Sequence, residues 1–104
     1  MIVAFPASDR NIDAPIDPHF GRCSFFGFYN RDTRILQYKE NKLRNAPEYA
    51  GIKVAEFLVK NGINKIYAIG IGSKTRKILN RLNIVTARLD SGTTIEQIIN
   101  KLNY

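Results

Sequence analysis

Residues 65–82, KIYAIGIGSKTRKILNRL, decide the fold class of this chain. Lys65–Ile69 has the apolar and aromatic pattern of a strand, and Gly70–Gly72 leads to Ser73, which is suited to cap a helix. The residues that follow repeat with the period of one helical face: Thr75, Ile78, Leu79 and Leu82. Asn83 predicts the end of that helix. The stretch therefore predicts a strand–turn–helix unit of an α/β protein.

Four other segments have strand patterns: Ile2–Phe5, Ser24–Tyr29, Arg34–Lys39 and Ile84–Thr86. The first is apolar throughout and is stopped by Pro6, so we expect a central strand that is buried on both faces. The second and third are joined by a turn at Asn30–Thr33 and predict a hairpin.

Two further helices are predicted from apolar periodicity. One opens at Asn45–Glu48, with Pro47 in its first turn, and closes at Asn61-Gly62. Its apolar face contains Ala50, Val54, Phe57 and Leu58. The last helix follows a capping box at Thr93–Glu96. Its apolar face contains Ile95, Ile98, Ile99 and Leu102. The order βββαβαβα predicts a mixed five-stranded sheet covered by helices, because strand–helix–strand units give parallel neighbours and a hairpin gives antiparallel ones.

The composition predicts a single domain, and we expect this domain to be cytoplasmic. With 104 residues, 44% hydrophobic and 24% charged, the sequence predicts a single globular domain over residues 1–104 and excludes a disordered chain. A single cysteine and a start without signal-peptide features favour the reducing cytoplasm over secretion. The longest apolar run, Ile66–Ile71, is too short to cross a bilayer, so we expect no membrane contact. The net charge of +7 favours an anionic partner.

The residues with metal-binding chemistry lie at the end of a long loop, Pro6–Arg22. Its length and turn chemistry predict a functional surface that is more mobile than the core. The sole histidine, His19, and the sole cysteine, Cys23, lie beside Arg22. Imidazole and thiolate are ligands for iron-type metals, but two ligands cannot close a tetrahedral site. The pattern is compatible with a preformed, exchangeable cluster that has open coordination positions and whose negative charge Arg22 would support.

A structural interpretation of these residues stays open. Cys23 can be a buried side chain at the start of a strand, and His19 can be satisfied within a turn. Asp9, Asp13 and Asp17 lack the spacing of a calcium loop and are interpreted as loop formers, with Asp17 as a neighbour of His19.

The glycine turn before the second helix is another candidate site. Backbone N–H groups at Gly70 and Gly72, together with the helix dipole, can hold an anion, although the spacing is neither that of a P-loop nor of a dinucleotide fingerprint. The structural alternative is a plain turn that allows close strand–helix packing. The aromatic residues of Ser24–Tyr29 are interpreted as core and not as a base-stacking surface, because basic residues do not alternate with them.

Along its whole length the sequence resembles the dinitrogenase iron-molybdenum cofactor biosynthesis family, which includes NifX-type proteins and the C-terminal region of NifB-type proteins. The resemblance rests on these blocks: Met1–Ala4, His19–Cys23, Ser24–Tyr29, Gly51–Leu58 with Gly62, Gly70–Gly72 and Gly92-Thr93. It implies a three-layer α/β/α, ribonuclease-H-like fold and a single NifX-like cofactor-binding domain. It also implies non-enzymatic binding or carrying of an iron-sulfur-based cluster, the iron-molybdenum cofactor or a precursor, with cofactor-assembly proteins as partners.

The leading hypothesis is therefore a cluster carrier with the cluster as transient cargo. The resemblance carries His19 over as a ligand; Cys23 is the second candidate ligand, and Arg22, Gly70 and Gly72 are candidate contacts to the cluster. The alternatives are an anion- or nucleic-acid-binding module with a basic surface, and a regulatory module that binds a small anion at residues 70–74. Because the basic residues are dispersed, we expect nucleic-acid binding to be weak, non-specific and salt-sensitive at most.

An active ribonuclease-H-type nuclease is disfavoured. Such enzymes gather carboxylates around two metal ions, and Met1–Phe5 contains none. The nearest acid is Asp9, which lies in the loop.

Overall fold

A computed structural model of the chain describes residues 1–45 and 50–103. Its strands and helices follow the predicted βββαβαβα order. The strands are β1 (Ile2–Ala7), β2 (Phe25–Asn30), β3 (Ile35–Glu40), β4 (Lys65–Ala68) and β5 (Val85–Arg88). The helices are α1 (Ala50–Lys60), α2 (Ser73–Arg81) and α3 (Ile95–Leu102). Of these helices, none has the length and hydropathy needed to cross a membrane.

The described strands form one mixed sheet in the order β3-β2-β1-β4-β5. β1 pairs antiparallel with β2 and parallel with β4, so the predicted central position of the first strand is confirmed. The expectation that Pro6 stops this strand is wrong, because β1 continues through it to Ala7. Proline has a fixed φ and no N–H donor, but β4 pairs with β1 only at Val3 and Ala4, so Pro6 lies beyond that ladder. The Pro6 carbonyl still accepts a hydrogen bond from the Asp17 N–H at 3.1 Å.

Both faces of the sheet are covered, which gives the predicted three-layer α/β/α architecture. Val3 and Phe5 of β1 pack in the cluster that contains residues of α3, whereas Ala4 packs in the cluster that contains residues of α1 and α2. In β2, Phe26 faces the α1/α2 side and Tyr29 faces the α3 side. The interpretation of the aromatic strand as core is therefore confirmed.

Two predicted helix caps are displaced by one residue. Gly72, not Ser73, is the N-cap of α2, and no side chain caps this end. The capping box of α3 is formed by Thr94 and Gln97, not by Thr93 and Glu96. Thr93 does not act as the cap because its hydroxyl donates to the Asp90 carbonyl at 2.7 Å.

The helix ends follow local backbone chemistry. Gly62, with φ of 73°, ends α1 while the N–H of Ile63 donates to the Leu58 carbonyl at 3.2 Å. Asn83, with φ of 62°, ends α2 as predicted. Ile84 then donates to the Leu79 carbonyl at 2.9 Å, so the last strand begins one residue later than expected. The predicted helix start at Asn45–Glu48 falls largely on residues 46–49, outside the described part of the chain.

Candidate functional site

The predicted site residues lie in the loops at one end of the central strands. Because β1 and β4 are parallel, the loop that follows β1 and the turn that follows β4 leave the sheet at the same end. Phe20 and Cys23 of the loop share a hydrophobic cluster with Ile71 of the turn. The fold therefore places the segments 19–23 and 70–72 at the same end of the sheet, beyond the carboxyl ends of the parallel strands β1 and β4, where ligands commonly bind.

The first half of the long loop is fixed to the start of α3. The N–H of Ile16 donates to the Thr93 carbonyl at 2.8 Å, and the N–H of Glu96 donates to the Ile12 carbonyl at 2.9 Å. Ala14 accepts from the Ile95 N–H at 3.2 Å. The first N–H groups of α3 are thus satisfied by the loop, and this helix end has no role in holding an anion.

His19 lies on the surface and is oriented by Asp17. Its side chain is 74% exposed, whereas that of Asp17 is 13% exposed. One carboxylate oxygen of Asp17 accepts from the His19 backbone N–H at 2.8 Å and lies 3.1 Å from His19 Nδ1. Asp17 is therefore both the predicted loop former and the predicted neighbour of His19. A carboxylate on Nδ1 is the arrangement that fixes a histidine for metal binding through Nε2.

Cys23 has the opposite environment. It is fully buried, and its thiol donates to the Phe20 carbonyl at 3.4 Å. Burial, and secondarily the charge of Asp17, raises the pKa of the Cys23 thiol to about 12. The thiol is therefore protonated at neutral pH, and it must become exposed before it can ligate a metal.

Asn41, which follows β3, holds the loop around Cys23. It is 2% exposed, and its amide donates to the carbonyls of Gly21 at 3.2 Å and Cys23 at 2.9 Å. Its side-chain oxygen accepts from the Leu43 N–H at 3.1 Å. Sequence reasoning missed this residue. The one available signal was an asparagine directly after a predicted strand, which more often indicates a turn than a buried polar group.

Arg22 is exposed and adds a second connection between the same segments. Its guanidinium donates to the Arg44 carbonyl at 2.8 Å. Asn41 in the interior and Arg22 at the surface thus both join the backbone of Gly21–Cys23 to the segment after β3.

Gly70 and Gly72 are exposed, and no other atom lies within 4 Å of where a Cβ would be at either position. A cavity of about 220 Å³ lies at the ends of β4 and β5. Gly70, Arg76 and Arg88 line it. The glycines therefore permit close approach of a ligand to the backbone, at the start of a helix that no side chain caps.

Within residues 1–45 and 50–103, no three histidine, cysteine, aspartate or glutamate side chains are grouped so as to hold a metal ion. The loop can thus offer His19 at the surface and Cys23 from the interior, supplemented by positive charge and backbone N–H groups. Such a set suits a ligand that brings its own bridging atoms and leaves again, more than a permanently bound single ion.

Comparison with known proteins agrees with this architecture. The orange protein from Desulfovibrio gigas, solved in its apo form, superposes with a TM-score of 0.89 at 26% identity, over 96% of this chain and 84% of that chain. The crystal structure of PH0822 gives 0.78 at 28% identity, over 96% and 87%. A Thermotoga protein of the DUF35 family, solved by NMR, gives 0.79 at 23% identity, over 95% and 84%, and supports the fold alone.

No curated protein matches the sequence significantly. The family model described as "Dinitrogenase iron-molybdenum cofactor" matches residues 1–103, which is nearly the whole chain. The chain belongs to the dinitrogenase iron-molybdenum cofactor family.

Proposed function

We propose that this protein is a non-enzymatic carrier that binds an anionic iron-sulfur-based cluster, the iron-molybdenum cofactor or a precursor, as transient cargo. The observation that carries the proposal is the exposed His19, whose ring is oriented by Asp17. Family membership over residues 1–103 supports a cofactor-related role. The net charge of +7 supports attraction of an anionic cargo.

His19 is the primary ligand in this proposal. Asp17 contacts Nδ1, so a metal of the cluster binds through Nε2, and the carboxylate fixes the orientation of the ring. Because the side chain is largely exposed, a cluster can bind or leave without rearrangement of the core. Arg22 lies three residues away and supports the charge of the bound cluster.

Cys23 is a secondary ligand that acts in an open state of the loop. Its burial and its pKa of about 12 favour the protonated thiol until the loop moves. Opening would expose the sulfur and lower its pKa toward the ordinary range, where metal can displace the proton. Gly70 and Gly72 supply backbone N–H groups on the other side of the cargo.

The test is anaerobic reconstitution with iron-sulfur and iron-molybdenum precursor clusters, followed by absorption spectroscopy and metal analysis. His19→Ala is expected to reduce loading at least tenfold, and Cys23→Ser is expected to reduce it less. Arg22→Ala should weaken loading more than Arg81→Ala, which removes the same charge from the last turn of α2. Failure of the unmodified protein to load any cluster, or equal loading by all variants, contradicts the proposal.

The cavity beside α2 favours a second candidate function, an anion- or nucleic-acid-binding module. Arg76 and Arg88 line a space of about 220 Å³ next to the uncapped N-terminus of α2. Titrations with inorganic phosphate, single-stranded RNA and duplex DNA at low and physiological salt test it. Tight, sequence-selective binding of a nucleic acid at physiological salt would favour this function over the carrier.

A further inference from the structure

Two neighbouring depressions, together called the groove, lie along β3, one of the two edge strands of the sheet, on the side that faces α1. Its upper part has a volume of about 730 Å³ and its lower part about 270 Å³, and Lys39 borders both. The groove exists because Leu36 and Tyr38 of β3 pack on the α3 side, so the alternate residues of the strand face the other way. Those residues, Ile35, Gln37 and Lys39, are exposed.

The groove has an apolar floor. Leu43 and Phe57 line its upper part, and Phe28 and Ile35 line its lower part. Ile35 is 55% exposed, which is a large apolar exposure for a strand residue. Each part combines apolar and polar lining residues, and Lys39 lies where the two parts meet. Exposed apolar surface bordered by polar residues is typical of a surface that binds another protein.

The rim of the groove is positively charged. Four lysines and two glutamates border its upper part: Lys39, Lys42, Lys53, Lys60, Glu40 and Glu56. Lys53 and Lys60 project from the same side of α1 as Phe57, four residues from Lys53 and three from Lys60. Lys39 is held near the middle of the groove by a hydrogen bond to Asn61 at 2.5 Å and lies 5.4 Å from the centre of the Phe28 ring.

We propose that this groove is a docking surface for an acidic amphipathic helix of a partner protein. An apolar floor between basic rims matches a helix with an apolar stripe flanked by Asp and Glu. The six residues of β3 span roughly 20 Å, which equals about thirteen residues of a helix.

A second copy of this chain does not fit the same surface. α1 carries two lysines and one glutamate, and α2 carries four basic residues and no acidic one. α3 carries one residue of each sign, and its apolar face is buried against the sheet. Since none of the described helices is acidic, the charge of the groove selects a different protein.

The probe for this proposal is a synthetic fourteen-residue peptide with leucines along one helical face and glutamates on both flanks. Binding is measured by fluorescence anisotropy at physiological salt, and the contact surface is mapped by amide chemical shifts. The double variant Lys53→Glu with Lys60→Glu is expected to weaken binding at least tenfold. The matched control, Lys74→Glu with Lys77→Glu on α2, makes the same change of net charge away from the groove and should change binding less than twofold.

Ile35→Ser tests the apolar floor of the groove without changing the fully buried core, and it should weaken binding of the peptide about fivefold. Equal loss in the two charge variants would overturn the proposal, because it would show only general attraction between opposite charges. A scrambled peptide of the same composition that binds equally well, chemical shifts outside the groove, or no binding at all would overturn it. The experiment uses cluster-free protein, so its failure would leave the carrier proposal untouched.

Discussion

The two halves of the loop between β1 and β2 are held in different ways. Residues 12–16 are tied to the start of α3 by backbone hydrogen bonds, and Ala7 and Ile16 form an isolated bridge. Residues 19–23 are held mainly by side chains, with Asp17 on His19 and Asn41 on the backbone at Gly21 and Cys23.

This difference indicates that residues 12–16 belong to the scaffold and that residues 19–23 form the candidate site. Backbone hydrogen bonds between the loop and α3 persist for almost any side chains, so the first half behaves as part of the three-layer core. The second half is held by the buried amide of Asn41 together with Asp17 and Arg22, and we expect loss of the Asn41 amide to make local exposure of Cys23 easier than unfolding of the sheet. Local opening of this kind is typical of ligand-binding loops.

The largest effect is expected on the scaffold side. Ile98→Ala removes a buried side chain from the α3 face and should lower the free energy of unfolding by about 3 kcal/mol, as urea denaturation measures it. Labelling of Cys23 by a water-soluble maleimide should then rise only in proportion to global unfolding. Labelling that rises faster than global unfolding would show that α3 and the 19–23 segment open together, and the separation of the two halves would fail.

Asn41→Ala should lower the free energy of unfolding less, by about 2 kcal/mol, because it leaves two buried carbonyls without donors. Its distinctive effect is on the thiol. At denaturant concentrations that give equal global stability, Cys23 should be labelled at least tenfold faster in Asn41→Ala than in Ile98→Ala.

Asn41→Asp tests separately whether the donor groups of the Asn41 amide control access to the thiol. It keeps an acceptor for the Leu43 N–H but donates to neither carbonyl, so it should label like Asn41→Ala. If both Asn41 variants label no faster than Ile98→Ala, Asn41 is an ordinary core residue and does not control access to Cys23.

The Cys23 thiol should also make stability depend on pH. Its pKa is about 12 in the folded state against an ordinary value of 9.0, so above pH 9 the unfolded chain loses its proton first. The free energy of unfolding therefore falls as pH rises from 9 toward 12, by up to about 1.4 kcal/mol per pH unit. Cys23→Ala should lack this component, and the measurement is the difference between the two urea stability curves at pH 8 and pH 10. Parallel curves would show that the thiol ionises as easily in the folded protein as in the unfolded chain.

The sequence predicts the elements of this fold well because their signals are local. The period of Ile95, Ile98 and Ile99, and the apolar run that begins at Ile2, each specify one element and its buried face. The sequence predicts a helix cap less accurately where two neighbouring residues can both act as the cap. Thr93 bonds to Asp90 and so leaves the cap to Thr94.

The sequence identified which residues form the candidate site but not the environment of each side chain. That His19, Cys23 and Arg22 share a loop is evident from the sequence, but their environments depend on contacts far along the chain. Cys23 is buried in a cluster that also contains residues of β2 and α1, and the loop is held by Asn41, eighteen residues later. The sequence offered a buried Cys23 and a turn-bound His19 only as an alternative, because no periodicity or spacing encodes the contact with Asn41 that would have decided between the two interpretations.

The smallest stability effect is expected at His19. Because the side chain is 74% exposed and Asp17 keeps its bond to the backbone N–H, His19→Ala should change the free energy of unfolding by less than about 0.5 kcal/mol. The same variant should lose most of its cluster loading, since a ligand on the exposed half of the loop contributes to the cargo and not to the core. Urea denaturation and anaerobic loading on the same preparation measure both quantities. A loss of stability above about 1 kcal/mol with loading intact would reverse the assignment, and His19 would then be a turn residue held by Asp17.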